Sequence, residues 1–156
     1  MASGKGNNNA IDLLKLIFQA TVSTTGWNVT GFTLAANGGG TPATNLYISL
    51  HTANPGAGGS QNTSEAAYTG YLRVAVVRTS SGWSLSSETM SNVAAITFPT
   101  STSGPETETY IGIGLNSIAQ SSTGVLLWFG QLTNALTVNN GITPSVAIGA
   151  LTITEA

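Results

Sequence analysis

The chain of 156 residues has no cysteine, a single histidine and very little charge: Lys and Arg number 4, Asp and Glu 6, and charged residues make up 6%, against roughly 25% in typical soluble domains. Each shortage excludes a class of function. Without cysteine, neither a disulfide framework nor a thiolate metal site can form. One histidine and scattered glutamates are poor material for the ligand set that zinc requires, so no metal or other cofactor is expected. The net charge is −2, with only Lys5, Lys15, Arg73 and Arg78 basic. Four cations cannot build the patch that neutralises a phosphate backbone, and a nucleic-acid partner is not expected. No apolar run approaches the roughly 20 residues that span a bilayer, so no membrane partner is expected either. Lys5 precedes an apolar stretch in the manner of a signal peptide. However, Lys15 and Gln19 interrupt it and Thr24-Thr25-Gly26 offers no small-x-small cleavage site, so the segment reads as retained.

What fills the chain instead is threonine (23), glycine (19) and serine (17). This Thr-rich, Gly-punctuated composition favours short strands and many turns over helices. The length suits one domain with a real core. A surface with so few solvated ions has little to hold neighbouring chains apart and suits close packing against other proteins.

Residues 1–9 form a polar, Gly-rich arm, and residues 10–20 (AIDLLKLIFQA) the one good helix, with Asn9 as N-cap and Asp12 at its third position. Ile11, Leu14 and Phe18 share its apolar face, leaving Lys15 and Gln19 for solvent. Strands are expected at Trp27–Thr30, Phe32–Ala35, Leu46–His51, Leu72–Thr79, Trp83–Leu85, Val93–Phe98, Thr107–Leu115, Leu136–Val138 and Val146–Thr154. Val125–Phe129, continuously apolar, reads as a central strand. In Leu46–His51 the alternation puts Leu46, Ile48 and Leu50 inside and Tyr47, Ser49 and His51 outside. Gly112 and Gly114 leave one strand face bare, as where another group packs close. Short strands with turns every 8–12 residues give an all-β fold, an antiparallel β-sandwich of jelly-roll-like strand count, residues 25–156, preceded by an arm and helix, residues 1–24.

The loop 52–70 is the one long excursion, and loops beyond about 12–15 residues are usually functional or disordered. Within it Ser64–Tyr68 reads as one helical turn. A catalytic triad would have to use His51, yet no Gly-x-Ser-x-Gly frames a serine, so His51 reads as a structural or surface residue and the chain as no enzyme. Glu106 and Glu108, two apart on a strand, read as a solvated edge that discourages strand pairing. Glu65, Tyr68, Tyr71 and Arg73 crowd the end of the loop. A Glu65–Arg73 pair there would staple the loop to its strand, with binding as the second use of these residues.

The segments LYISLHTANPGAGGSQNTSEAAYTGYLRVAV, GWSLS, SNVAAITFP, YIGIG and GITPSVAIGALTITE resemble a family of small tailed-bacteriophage virion proteins, over about residue 45 to the C-terminus. Family members carry tail-fibre-like labels, and related β-sandwich proteins serve as capsid cement or decoration proteins. The resemblance implies a structural virion protein without catalytic residues. The expectation drawn is a cement protein on the capsid exterior, bridging major capsid proteins and copies of itself. A tail or tail-fibre component touching a host receptor or glycan is the alternative. Candidate partner contacts are Lys5, Asn7, Asn8 and Asn9 on the arm, and Asn54, Gln61, Glu65, Tyr68 and Tyr71 on and beside the long loop.

Overall fold

A computed structural model describes residues 6–21, Leu34 and 42–155. Lys5 and the strands expected at Trp27–Thr30 and Phe32–Ala35 lie outside the described residues, save for Leu34. Among the described residues one helix, α1 (Asn7–Gln19), precedes nine strands: β1 (Asn45–His51), β2 (Val74–Val77), β3 (Trp83–Ser86), β4 (Thr89–Asn92), β5 (Ile96–Thr97), β6 (Glu106–Gly114), β7 (Leu126–Val138), β8 (Ser145–Val146) and β9 (Thr152–Thr154). The fold is all-β, with antiparallel pairing and one short helix. The chain forms two compact units.

The first unit holds α1 and the three-stranded sheet β3-β4-β9. α1 starts earlier than the sequence suggests. Gly6, extended at φ −73° and ψ 146°, is the N-cap without any side-chain bond, and its carbonyl accepts from the N–H groups of Asn9 and Ala10. Asn9 is therefore inside the first turn. Asp12 makes no capping box: it is buried, and neither carboxylate oxygen has a hydrogen-bond partner. At the other end Ala20 turns left-handed at φ 51°, and Arg78 donates to the Ile17 and Leu16 carbonyls at 2.6 and 2.7 Å. A cation from another segment thus serves the negative end of the helix. Leu14, Phe18, Trp83 and Met90 fill the core, with the Phe18 and Trp83 rings edge to face at 4.7 Å.

β3 and β4 form a hairpin closed at Ser86 and Thr89, so β4 occupies a stretch, Thr89–Asn92, with no strand signal in its sequence. Asn92 explains it. Buried, it donates to the Ala94 and Ala147 carbonyls and accepts from Leu151 N–H, tying β4 to the chain before β9. The expected strand Val93–Phe98 shrinks to β5, which pairs with β8.

The second unit is built on the sheet β2-β1-β6-β7. Leu46, Ile48 and Leu50 of β1 are buried as expected, but Ser49 and His51 are buried too. β1 is an inner strand, and the 52–70 loop folds back over its second face, which alternation alone does not reveal. The run Val125–Phe129 is not central: β7 lies at the sheet edge, continues to Val138, and leaves Phe129 37% exposed. Its ladder with β6 is irregular between Glu108 and Tyr110 and between Ile113 and Gly114, the kind of interruption that blunts an edge against pairing.

Candidate functional site

The second unit's most organised feature is a buried polar network beneath the 52–70 loop. The loop closes at its base, where Thr52 N–H donates to Ser64 O and Ala66 N–H to Leu50 O, each at 2.8 Å. Ser64 sits at φ 52° and Glu65 bridges to His51, so Ser64–Tyr68 is not a helical turn. The chain there is held by pairing with β1.

Arg73 sits at the centre. Its Nε donates to Glu65 Oε1 at 2.6 Å and its Nη2 to Oε2 at 2.8 Å, and both side chains are fully buried. The second lone pairs of the carboxylate accept from Tyr71 Oη at 3.1 Å and Gln120 N–H at 2.8 Å. Arg73 Nη1 reaches the Asn116 carbonyl at 3.0 Å. Gln61 completes the ring: its Oε1 accepts from Asn116 N–H, its Nε2 donates to Tyr47 O, and its backbone N–H donates to Gly124 O. Asn116 in turn donates to Ser121 and Thr123. A buried charge is tolerable only when paired and hydrogen-bonded, and here every charge is. Two loops, 52–70 and 115–125, are thereby fixed to β1 and β2.

The bare glycine face has its reason here. A Cβ on Gly112 would strike His51 Nε2 and Ser49 Oγ, and one on Gly114 would strike the Gln61 side chain and the Val125 carbonyl. Gly112 pairs across β1 with Ser49, and Gly114 with Tyr47. His51 is wedged in by two bonds, from Nδ1 to the Thr63 carbonyl and between Nε2 and Ser49 Oγ, both 2.9 Å. A carbonyl only accepts, so Nδ1 carries the proton and Nε2 accepts from the serine hydroxyl. Burial lowers the histidine's proton affinity, against opposing pulls from the Thr63 carbonyl and Glu65. This Ser–His pair, though within bonding distance, is sealed from solvent.

Glu106 and Glu108 are not a solvated edge, since β6 lies between β1 and β7. Glu106 binds Ala67 N–H with both oxygens, at 2.9 and 3.1 Å. Glu108 is fully buried with both oxygens unpartnered, and burial, helped by the charge on Glu106, pushes its carboxyl up to about 7. Tyr68 donates to the Pro99 carbonyl and, by burial and then the two glutamates, is raised to about 12.

Of the candidate contact residues, the structure brings Gln61, Glu65, Tyr68 and Tyr71 together, but inside, where their polar atoms serve each other and the backbone. Asn54 is exposed, its Oδ1 accepting from Gly56 N–H. Asn7 and Asn8 are exposed on α1, and Asn9 is half-buried. Missed by sequence reasoning were Asn116, Gln120 and Asn92, each joined to partners far along the chain, and the bridging role of Gln61.

The match of residues 19–154 to a bacteriophage family makes this charge-poor, all-β chain a structural protein of a phage virion. Residues 19–154 match the family described as Podophage GP4 fiber I protein gp80, and the chain belongs to it. No curated protein matches the chain.

Proposed function

We propose that the chain is a non-catalytic component of a phage tail fibre, packed against other virion proteins and copies of itself. The observation that carries this reading is the match of residues 19–154 to a fibre family. The locked loops support it, because a particle part must hold its shape without a partner to fold against. So does the surface. With 6% charged residues and Leu72, Ile118, Ile142 and Ile148 exposed at 41–70%, contacts would rest on apolar area and depend little on salt. The absence of a catalytic role is part of the proposal and rests on the burial of Ser49 and His51.

The cement reading, in which the chain bridges major capsid proteins on the capsid exterior, draws on the same charge-poor surface but lacks the support of the family match. Copy number separates the two. Quantitative mass spectrometry of purified particles, scaled to the major capsid protein, together with gold-labelled antibody imaging, should give few copies located on the tail. Hundreds of copies in simple ratio to capsid subunits, with label on the head, would establish cement instead.

A further inference from the structure

In the second unit Ala67, Tyr68 and Thr69, near the end of the 52–70 loop, form a short strap with its own set of bonds. The Ala67 N–H is gripped by both oxygens of Glu106, and the Tyr68 hydroxyl donates to the Pro99 carbonyl at 3.1 Å. The Thr69 N–H donates to Ser103 Oγ at 2.9 Å, and the Thr69 carbonyl accepts from the Thr102 N–H at 3.0 Å. Beside Tyr68, close enough for its charge to be felt there, stands Glu108, wholly buried and with neither carboxylate oxygen hydrogen-bonded. Every neighbouring donor is spent elsewhere. The strap's own N–H and O–H groups serve Glu106, Ser103 and Pro99, the His51 Nδ1 proton serves Thr63, and Arg73 is bound to Glu65. β7, paired with β6 at Glu108, carries no titratable residue. Glu106 on the same strand adds only like charge.

We propose that this strap is a pH-sensitive latch, closed while Glu108 is a neutral acid and lifted when the carboxyl gives up its proton. A buried carboxylate without donors is costly, and water, the one donor left, reaches it only if the strap moves. The new charge also repels Glu106, whose grip on Ala67 holds the strap down. Burial, then the charge on Glu106, pushes the Glu108 carboxyl from 4.5 up to about 7. The closed strap therefore keeps the proton almost to neutrality, whereas an open, hydrated carboxyl loses it near 4.5. Opening is favoured increasingly as pH rises between those values and is constant above them. The movement is local, because the bonds on either side do not involve the strap. Ala66 N–H stays on the Leu50 carbonyl and Glu65 on Arg73, while Phe98 and Ser101 N–H stay on the Pro144 and Ile142 carbonyls. What opening uncovers is an acidic pair, Glu106 and Glu108. The inference goes beyond the fibre assignment and does not rest on it.

The test is hydrogen exchange of the full chain, read amide by amide from pH 5 to 8 by NMR and corrected for intrinsic exchange rates. Protection of the Ala67, Thr69 and Thr102 amides should fall about tenfold per pH unit, roughly 100-fold from pH 5 to 7, and then level off. At every pH it should stay well below the protection of Ser101 and of the Ile48–Ile113 ladder, which report opening of the larger structure. Glu108→Gln, neutral throughout, should abolish the slope at the three strap amides, whatever it does to overall stability. Glu108→Met, a neutral and apolar replacement, should do the same. A flat profile in the parent, or a slope that survives in either variant, would overturn the proposal. So would strap amides protected as strongly as the ladder at each pH, because Glu108 would then meet water only on global unfolding.

Discussion

Glu65 and Arg73 face each other through two parallel hydrogen bonds of 2.6 and 2.8 Å, with both side chains wholly withdrawn from water. They stand eight residues apart, at the end of the long loop and at the entry to β2. In a chain with so few charges, this pair is placed where it anchors a loop that has no strand or helix of its own. The fork geometry matters because arginine matches a carboxylate at two points, as lysine cannot.

Removing one partner should therefore be far worse than removing both. Glu65→Ala leaves a buried guanidinium uncompensated and should cost about 3–5 kcal/mol. Glu65→Leu combined with Arg73→Met should recover much of that loss. Urea denaturation of the two single variants and the double variant checks this, and a loss in the double variant equal to the sum of the two single losses would show that the pair contributes no coupling.

Gly114→Ala tests the close approach of the network to β6. The added methyl meets the Gln61 side chain and the Val125 carbonyl, so either the glutamine or the strand must move. The expected cost is about 1–3 kcal/mol, with faster hydrogen exchange at Gln61 and Asn116 than at the Ile48–Ile113 ladder. Gly130→Ala, where nothing lies within 4 Å, is the control and should be nearly neutral.

Much of this unit was legible in the sequence, because local chemistry dictates it. Period-two alternation placed Leu46, Ile48 and Leu50 in the core, the glycines at 112 and 114 announced a close contact, and the isolated Glu65 and Arg73 announced each other. The failures share one physical origin. Ser49, His51 and Glu108 look like surface residues until another chain segment covers them, and such cover is a long-range fact that no window of neighbours contains. Likewise the apolar run at 125–129 carries the composition of an inner strand but lies at an edge, and Asn92, polar and unremarked, anchors a strand that propensity did not suggest. At the candidate site Gln61, Glu65, Tyr68 and Tyr71, read from the sequence as partner contacts, face inward and serve the internal network instead.

Arg78→Met should loosen α1 from its C-terminal end. The variant keeps much of the side-chain bulk but leaves the Leu16 and Ile17 carbonyls without the guanidinium that now binds them. A loss of about 1–3 kcal/mol is expected for hydrogen bonds to a charged group. Hydrogen exchange should rise in the last turn of α1 and remain unchanged at β1 and β6. Uniform loss of protection in both units would refute a local capping role.

Glu108 predicts a pH dependence whose sign runs against ordinary acid denaturation. Its folded-state value is raised from 4.5 to about 7, so between those values the unfolded chain has released a proton that the folded chain still holds. The contribution is therefore fully present below pH 4.5, falls as pH rises through that window, and is constant above 7. Its span is roughly 3 kcal/mol. His51 works the other way: burial holds its folded-state value below 6.5, so the unfolded chain takes up a proton first and stability falls as pH drops below 6.5. The two trends overlap and partly cancel in the unmodified protein. Glu108→Gln removes one of them. Measured by denaturation from pH 4.5 to 8, the stability of the variant relative to the parent should climb steadily up to about pH 7 and then level off. A difference that stays flat across this range would mean that the Glu108 carboxyl ionises normally in the folded chain and that its burial is relieved by water.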